Sequence, residues 1–85
     1  MTVALMWEAR AADGRGADLL EWAGAQELPE RPLRSELFTA PGDRVLAITW
    51  WDADFDAPLP ELPEPPADLL ARPPHRWRFA SVRTD

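Results

Sequence analysis

Residues 45–51, VLAITWW, hold no charged side chain at either parity of an extended chain, and residues 3–7, VALMW, repeat the pattern. A β-strand points successive side chains to opposite faces, so a strand with one wet face alternates apolar and polar residues. Two runs that fail to alternate read as central strands of a sheet covered on both sides. Upstream of the first run, Pro41-Gly42-Asp43 follows residues 33–40, and Gly42 supplies the positive φ of a tight turn. Residues 33–40 and 44–51 are therefore the two arms of a hairpin. Folding them about the turn sets Phe38 near Leu46, Glu36 near Ile48 and Arg34 near Trp50. Arg34 and Glu36 give the first arm the charged character of an outer strand.

The remaining chain supplies two more strands and one helix. Residues 2–11 form the first strand, with Val3, Leu5, Trp7 and Ala9 on one face and Ala4, Met6, Glu8 and Arg10 on the other. Asp13-Gly14 turns the chain. Over residues 15–26, Leu19, Leu20, Trp22 and Ala23 recur at helical spacing, with Asp13 as the expected N-cap. Two prolines in residues 27–32 bar helix and central strand alike. Residues 52–74 contain seven of the ten prolines and form a crossover with room for one helical turn at residues 66–72. Residues 75–83, HRWRFASVR, read as a charged outer strand.

This order of elements fits one α+β domain over residues 1–85, a ferredoxin-like four-stranded antiparallel sheet in order 4-1-3-2. It has one clear helix, and the proline-rich crossover (residues 52–74) replaces the second. With strand four antiparallel to strand one, Glu8 is expected opposite Arg78, Met6 opposite Ala80, and Trp7 near Phe79. One layer of helix and crossover covers one face only. The other face, apolar on both central strands, is expected to meet a second copy.

Composition narrows the partners. An 85-residue domain buries only about 60% of its unfolded surface, and this one has no cysteine to staple it. One histidine cannot build a zinc site, so no metal is expected. The net charge of −6 opposes nucleic acid binding. No run approaches the roughly 20 apolar residues of a membrane span, and MTVALMWEAR lacks the pattern of a signal peptide, so a cytoplasmic protein away from membranes is expected.

Together with the element order and the hairpin, the Trp50-Trp51-Asp52 sequence closing strand three resembles the dimeric α+β barrel superfamily, which includes antibiotic biosynthesis monooxygenase-like proteins. Members commonly carry a tryptophan near the end of the third strand, a place Trp50 or Trp51 would fill. The resemblance implies a homodimer of sheets. It also implies either a cofactor-independent monooxygenase, working with an asparagine and a tryptophan, or a haem-degrading relative that adds a histidine.

Candidate site residues follow. Trp7, Trp50, Trp77 and Phe79 could converge on a pocket for a flat aromatic or polyketide-like ligand, with indole N–H groups as polar handles; ordinary core packing explains them equally well. His75 is a candidate haem ligand or acid/base, against a bland reading as a loop-to-strand surface residue. Glu8 and Arg78, expected on the apolar face, are candidates for an ion pair that fixes subunit register. Asp52, Asp54 and Asp56 fail as an EF-hand because Ala57 and Pro63 stand where glycine and glutamate are required. Pro60, Pro63 and Pro66 have P-x-x-P spacing, but Leu59, Leu62, Leu69 and Leu70 mark the segment as a strap on the body. With asparagine, tyrosine and cysteine absent, the reading favours a non-catalytic accessory or interaction protein without a cofactor. A small-molecule binder or monooxygenase is the alternative.

Overall fold

The two apolar runs lie side by side at the centre of one sheet. A computed structural model describes all 85 residues as β1 (Thr2–Arg10), α1 (Gly16–Ala25), β2 (Arg34–Ala40), β3 (Arg44–Asp52), a 3-10 turn (Ala67–Leu69) and β4 (His75–Ala80). The sheet is antiparallel throughout, in order β2-β3-β1-β4, which is 4-1-3-2 counted from the β4 edge. β1 pairs β3 along its full length, from Thr2 opposite Asp52 to Arg10 opposite Arg44. The hairpin closes with Phe38 opposite Leu46, Glu36 opposite Ile48 and Arg34 opposite Trp50. Its turn runs through Gly42 at φ 86° and Asp43 at φ 59°, left-handed geometry that glycine adopts freely because it has no Cβ and that aspartate is among the few other residues to tolerate.

The odd-numbered residues of β1 and β3 face the helix. Trp7, Ala9, Ala11, Leu19, Ala23, Val45 and Ala47 form the larger core cluster, and Val3, Leu5 and Trp51 form the smaller one. The α1 stripe drives this packing: Leu19 and Ala23 are buried one turn apart, and Trp22 lies 6.1 Å from Trp7, ring centroid to centroid. Leu59 and Leu62 of the proline-rich segment pack against the two clusters, so that segment does the covering work of a second helix.

The helix start differs from expectation. Gly14, at φ 77°, turns the chain after Asp13, and Arg15 occupies the cap position without a side-chain cap bond. The carboxylate that serves this corner comes from the hairpin turn: Asp43 Oδ2 accepts the Gly14 N–H at 3.0 Å. Glycine at position 16 is dictated by the same approach, since a Cβ there would lie 2.7 Å from Asp43 Oδ1.

The register of β4 is a second correction. Glu8 stands opposite His75, Met6 opposite Trp77, Leu5 opposite Arg78 and Ala4 opposite Phe79. This is three residues from the expected alignment, and an odd shift moves every β4 side chain to the other face. The strap sets it. The Ala12 N–H donates to the Leu69 carbonyl at 2.8 Å and the Ala71 N–H to the Arg10 carbonyl at 2.9 Å, so the chain is tied to the end of β1 before β4 begins. The strand also ends at Ala80, short of Arg83.

Candidate functional site

The even-numbered residues of β1, β2 and β3, with His75, Trp77 and Phe79 of β4, make the open face of the sheet. Ala4, Met6, Leu46, Ile48 and Trp50 line it on the central strands, and Phe38 on β2. Trp77 is 45% exposed and Phe79 52%. Nothing in the chain covers them. Arg34 lies over the Trp50 ring at 5.0 Å, a cation–π contact at the β2 edge.

Glu8 is the one buried charged residue on this face, with 9% of its side chain exposed. Arg72 Nη2 donates to both of its carboxylate oxygens, at 2.7 and 3.0 Å, and Arg44 Nε donates to Oε2 at 3.0 Å. His75 Nδ1 stands 3.8 Å from Oε1, and the imidazole meets Trp77 edge-on at 5.5 Å. Burial pushes the Glu8 carboxyl up, but the hydrogen bonds and charges of Arg72 and Arg44 outweigh it and hold the group below its ordinary value. A carboxylate with both oxygens engaged this way is an anchor for neighbouring cations.

The expected Glu8–Arg78 pair does not form. The register places Arg78 on the helix side, where its Nη1 donates to the carbonyls of Phe55 and Ala57, both at 2.7 Å, and pins the loop after β3. Arg44 and Arg72 take its place. Arg44 was within reach of sequence reasoning, because β1–β3 pairing brings it to the end of the sheet two residues along from Glu8. Arg72 was not, because it lies in a segment without periodic structure.

The tryptophans also divide. Trp7 is buried on the helix side, while Trp50, Trp77 and Phe79 lie on the open face, so the four expected pocket residues line no common pocket. Trp7 nevertheless has a distinctive feature: its Nε1 is buried without a hydrogen-bond partner. Trp51, by contrast, donates its Nε1–H to Thr49 Oγ1 at 2.8 Å. Trp7 borders a small, partly open pocket of about 20 Å³ whose lining includes Leu28, Pro60 and Leu62. Leu28 and Leu62 also line an open cleft of about 900 Å³ between the C-terminal end of α1, residues 26–32, and the Ser35 and Thr49 region of the sheet.

No group of three or more histidine, cysteine, aspartate or glutamate side chains is placed to hold a metal ion, and no helix is long and apolar enough to cross a membrane. No family model, curated protein or solved structure matches the chain.

Proposed function

We propose that the protein works as a cytoplasmic homodimer, paired open face to open face as a dimeric α+β barrel, in a non-catalytic accessory or interaction role. The observation that carries this reading is the uncovered apolar face of the two central strands, with Trp77 and Phe79 about half exposed at its β4 edge. Surface area supports a partner. The chain exposes 5704 Å², whereas a folded monomer of 9.6 kDa exposes about 5,100 Å² by the usual scaling of area with mass. The open sheet face contributes to this excess of roughly 600 Å² together with the exposed residues 81–85 and the strap, and a standard interface takes roughly 800 Å² from each partner. The preference for a non-catalytic role rests on the absence of asparagine, tyrosine and cysteine, and is supported by Glu8 being held by two guanidinium groups. Sedimentation tests the pairing: wild type should sediment as a dimer at micromolar concentration, and a Trp77→Asp, Phe79→Ser double variant as a folded monomer. A wild-type monomer would overturn it.

A second reading, a binder of aromatic or polyketide-like molecules, is favoured by the orphaned Trp7 Nε1. An unmet buried donor costs about 1–3 kcal/mol, and a ligand carbonyl reaching it from the cleft past Leu28 and Leu62 would recover that. Such a ligand would raise the melting temperature of wild type and lose much of its effect in Trp7→Phe. A broad panel of such compounds giving no shift would remove this reading and leave the dimer standing.

A further inference from the structure

At the end of the open face the two central strands carry an electrostatic mismatch. Arg10 and Arg44 stand directly opposite each other on β1 and β3, both exposed, and like charges in that position repel. Arg72 arrives from the strap and His75 from the start of β4. Glu8 is the one carboxylate within ion-pair reach of Arg44, Arg72 and His75, and Arg10 has no acidic partner. Three guanidinium groups against one carboxylate leave a surplus of two positive charges. This happens in a chain whose net charge is −6 and whose only histidine sits at the same spot.

The donors are not used up. Arg44 commits only Nε to Glu8, so both terminal nitrogens of its guanidinium are unengaged, and Arg72 Nε is unengaged as well. They border a depression of about 340 Å³ whose other wall is Met6, Leu46 and Trp77. One side is cationic and the other apolar.

We propose that this depression binds a small organic monocarboxylate, its carboxylate held by Arg44 and Arg72 and its apolar body laid against Trp77, Met6 and Leu46. The planar guanidinium fork matches a carboxylate in two parallel hydrogen bonds. The acidic field of the whole chain selects against polyanions such as nucleic acid or polyphosphate, while a single local charge still gains from the cluster. Glu8 orients the two arginines and also competes with the ligand for them. Arg10 adds to the local field. The site lies at one end of the face proposed above to pair, so Met6, Leu46 and Trp77 are shared between ligand and partner copy, and benzoate binding competes with pairing at that end.

The test titrates the full-length chain with benzoate, benzamide and inorganic phosphate at constant ionic strength, following tryptophan fluorescence and heat. Benzoate should saturate, with benzamide weaker by about tenfold or more, the effect of losing one charge-assisted contact, and phosphate weaker because it has no apolar body to lay against Trp77, Met6 and Leu46. Arg44→Gln should weaken benzoate by a similar factor, and Arg10→Gln, at an exposed position, by a few-fold. Glu8→Gln should tighten it several-fold. If that variant fails to fold, the two arginine variants decide. Equal binding of benzoate and benzamide, equal binding of phosphate, or an unchanged affinity in Arg44→Gln would each overturn the proposal. Sedimentation of the same samples separates the two ideas, since a monomer that binds benzoate refutes the pairing alone and a monomer obtained by dilution that does not bind it refutes the site alone.

Discussion

Replacing Glu8 with glutamine keeps the length of the side chain and removes its charge. In wild type the carboxylate accepts three hydrogen bonds from two guanidinium groups, with only 9% of the side chain exposed. The amide retains one acceptor oxygen and turns an NH₂ toward an arginine, so at least one charge-assisted bond, about 1.5–3 kcal/mol, is lost. Breaking a fully buried pair costs about 3–5 kcal/mol. Here Arg44 is 53% and Arg72 33% exposed, so water takes over part of their solvation and about 2–3 kcal/mol is expected. In a domain of this size that corresponds to a fall in melting temperature of roughly 10–20 °C. The pH dependence has a definite sign. The native Glu8 carboxyl is held below its ordinary value of 4.5 by Arg72 and Arg44, against the opposing effect of burial. Its contribution is therefore complete above the unfolded value and is lost as pH falls through the lower native value. Calorimetry at fixed protein concentration should show a wide gap between wild type and Glu8→Gln at neutral pH, narrowing below about pH 4.5 as wild type loses the same interaction. A gap that persists undiminished near pH 3, or one under about 0.5 kcal/mol at neutral pH, would refute the assignment of Glu8 as a charged anchor.

Four further substitutions probe other parts of the structure. Gly16→Ala improves intrinsic helix propensity, yet its Cβ would meet Asp43 Oδ1 at 2.7 Å and Asp43 Cα at 3.2 Å; urea titration should show a loss of about 1–2 kcal/mol from the resulting strain, and a stabilised variant would contradict the packing of α1 on the hairpin turn. Trp7→Phe discards an unpartnered N–H and Trp51→Phe a satisfied one, so Trp51→Phe should leave Thr49 Oγ1 short of a partner and be the costlier by about 1 kcal/mol, a ranking that chemical denaturation measures directly. Arg78→Ala releases the carbonyls of Phe55 and Ala57; hydrogen exchange in residues 53–57 should accelerate while the amides of β1 and β3 stay protected, and equal acceleration everywhere would assign Arg78 a global role instead.

What could be read from the chain alone was whatever depends on short-range periodicity. The non-alternating runs at residues 3–7 and 45–51 named the central strands, the Leu19–Ala23 stripe named the helix, and Pro41-Gly42-Asp43 named the hairpin and its pairing, since a two-arm turn leaves little freedom in register. Tertiary structure decided the rest. The alignment of β4 depends on how 23 residues of proline-rich crossover (52–74) wind back to β1, and local pattern carries no measure of that path. Hydrogen bonds from Ala12 and Ala71 set it, and the resulting odd shift exchanged the faces of Arg78, Trp77 and Phe79, replaced Arg78 by Arg44 and Arg72 at Glu8, and left Trp7 separated from the other aromatic residues. The faces of a strand alternate at every residue, so its periodicity reports which side chains travel together, while only the contacts made by the connecting chain determine which side of the sheet they reach.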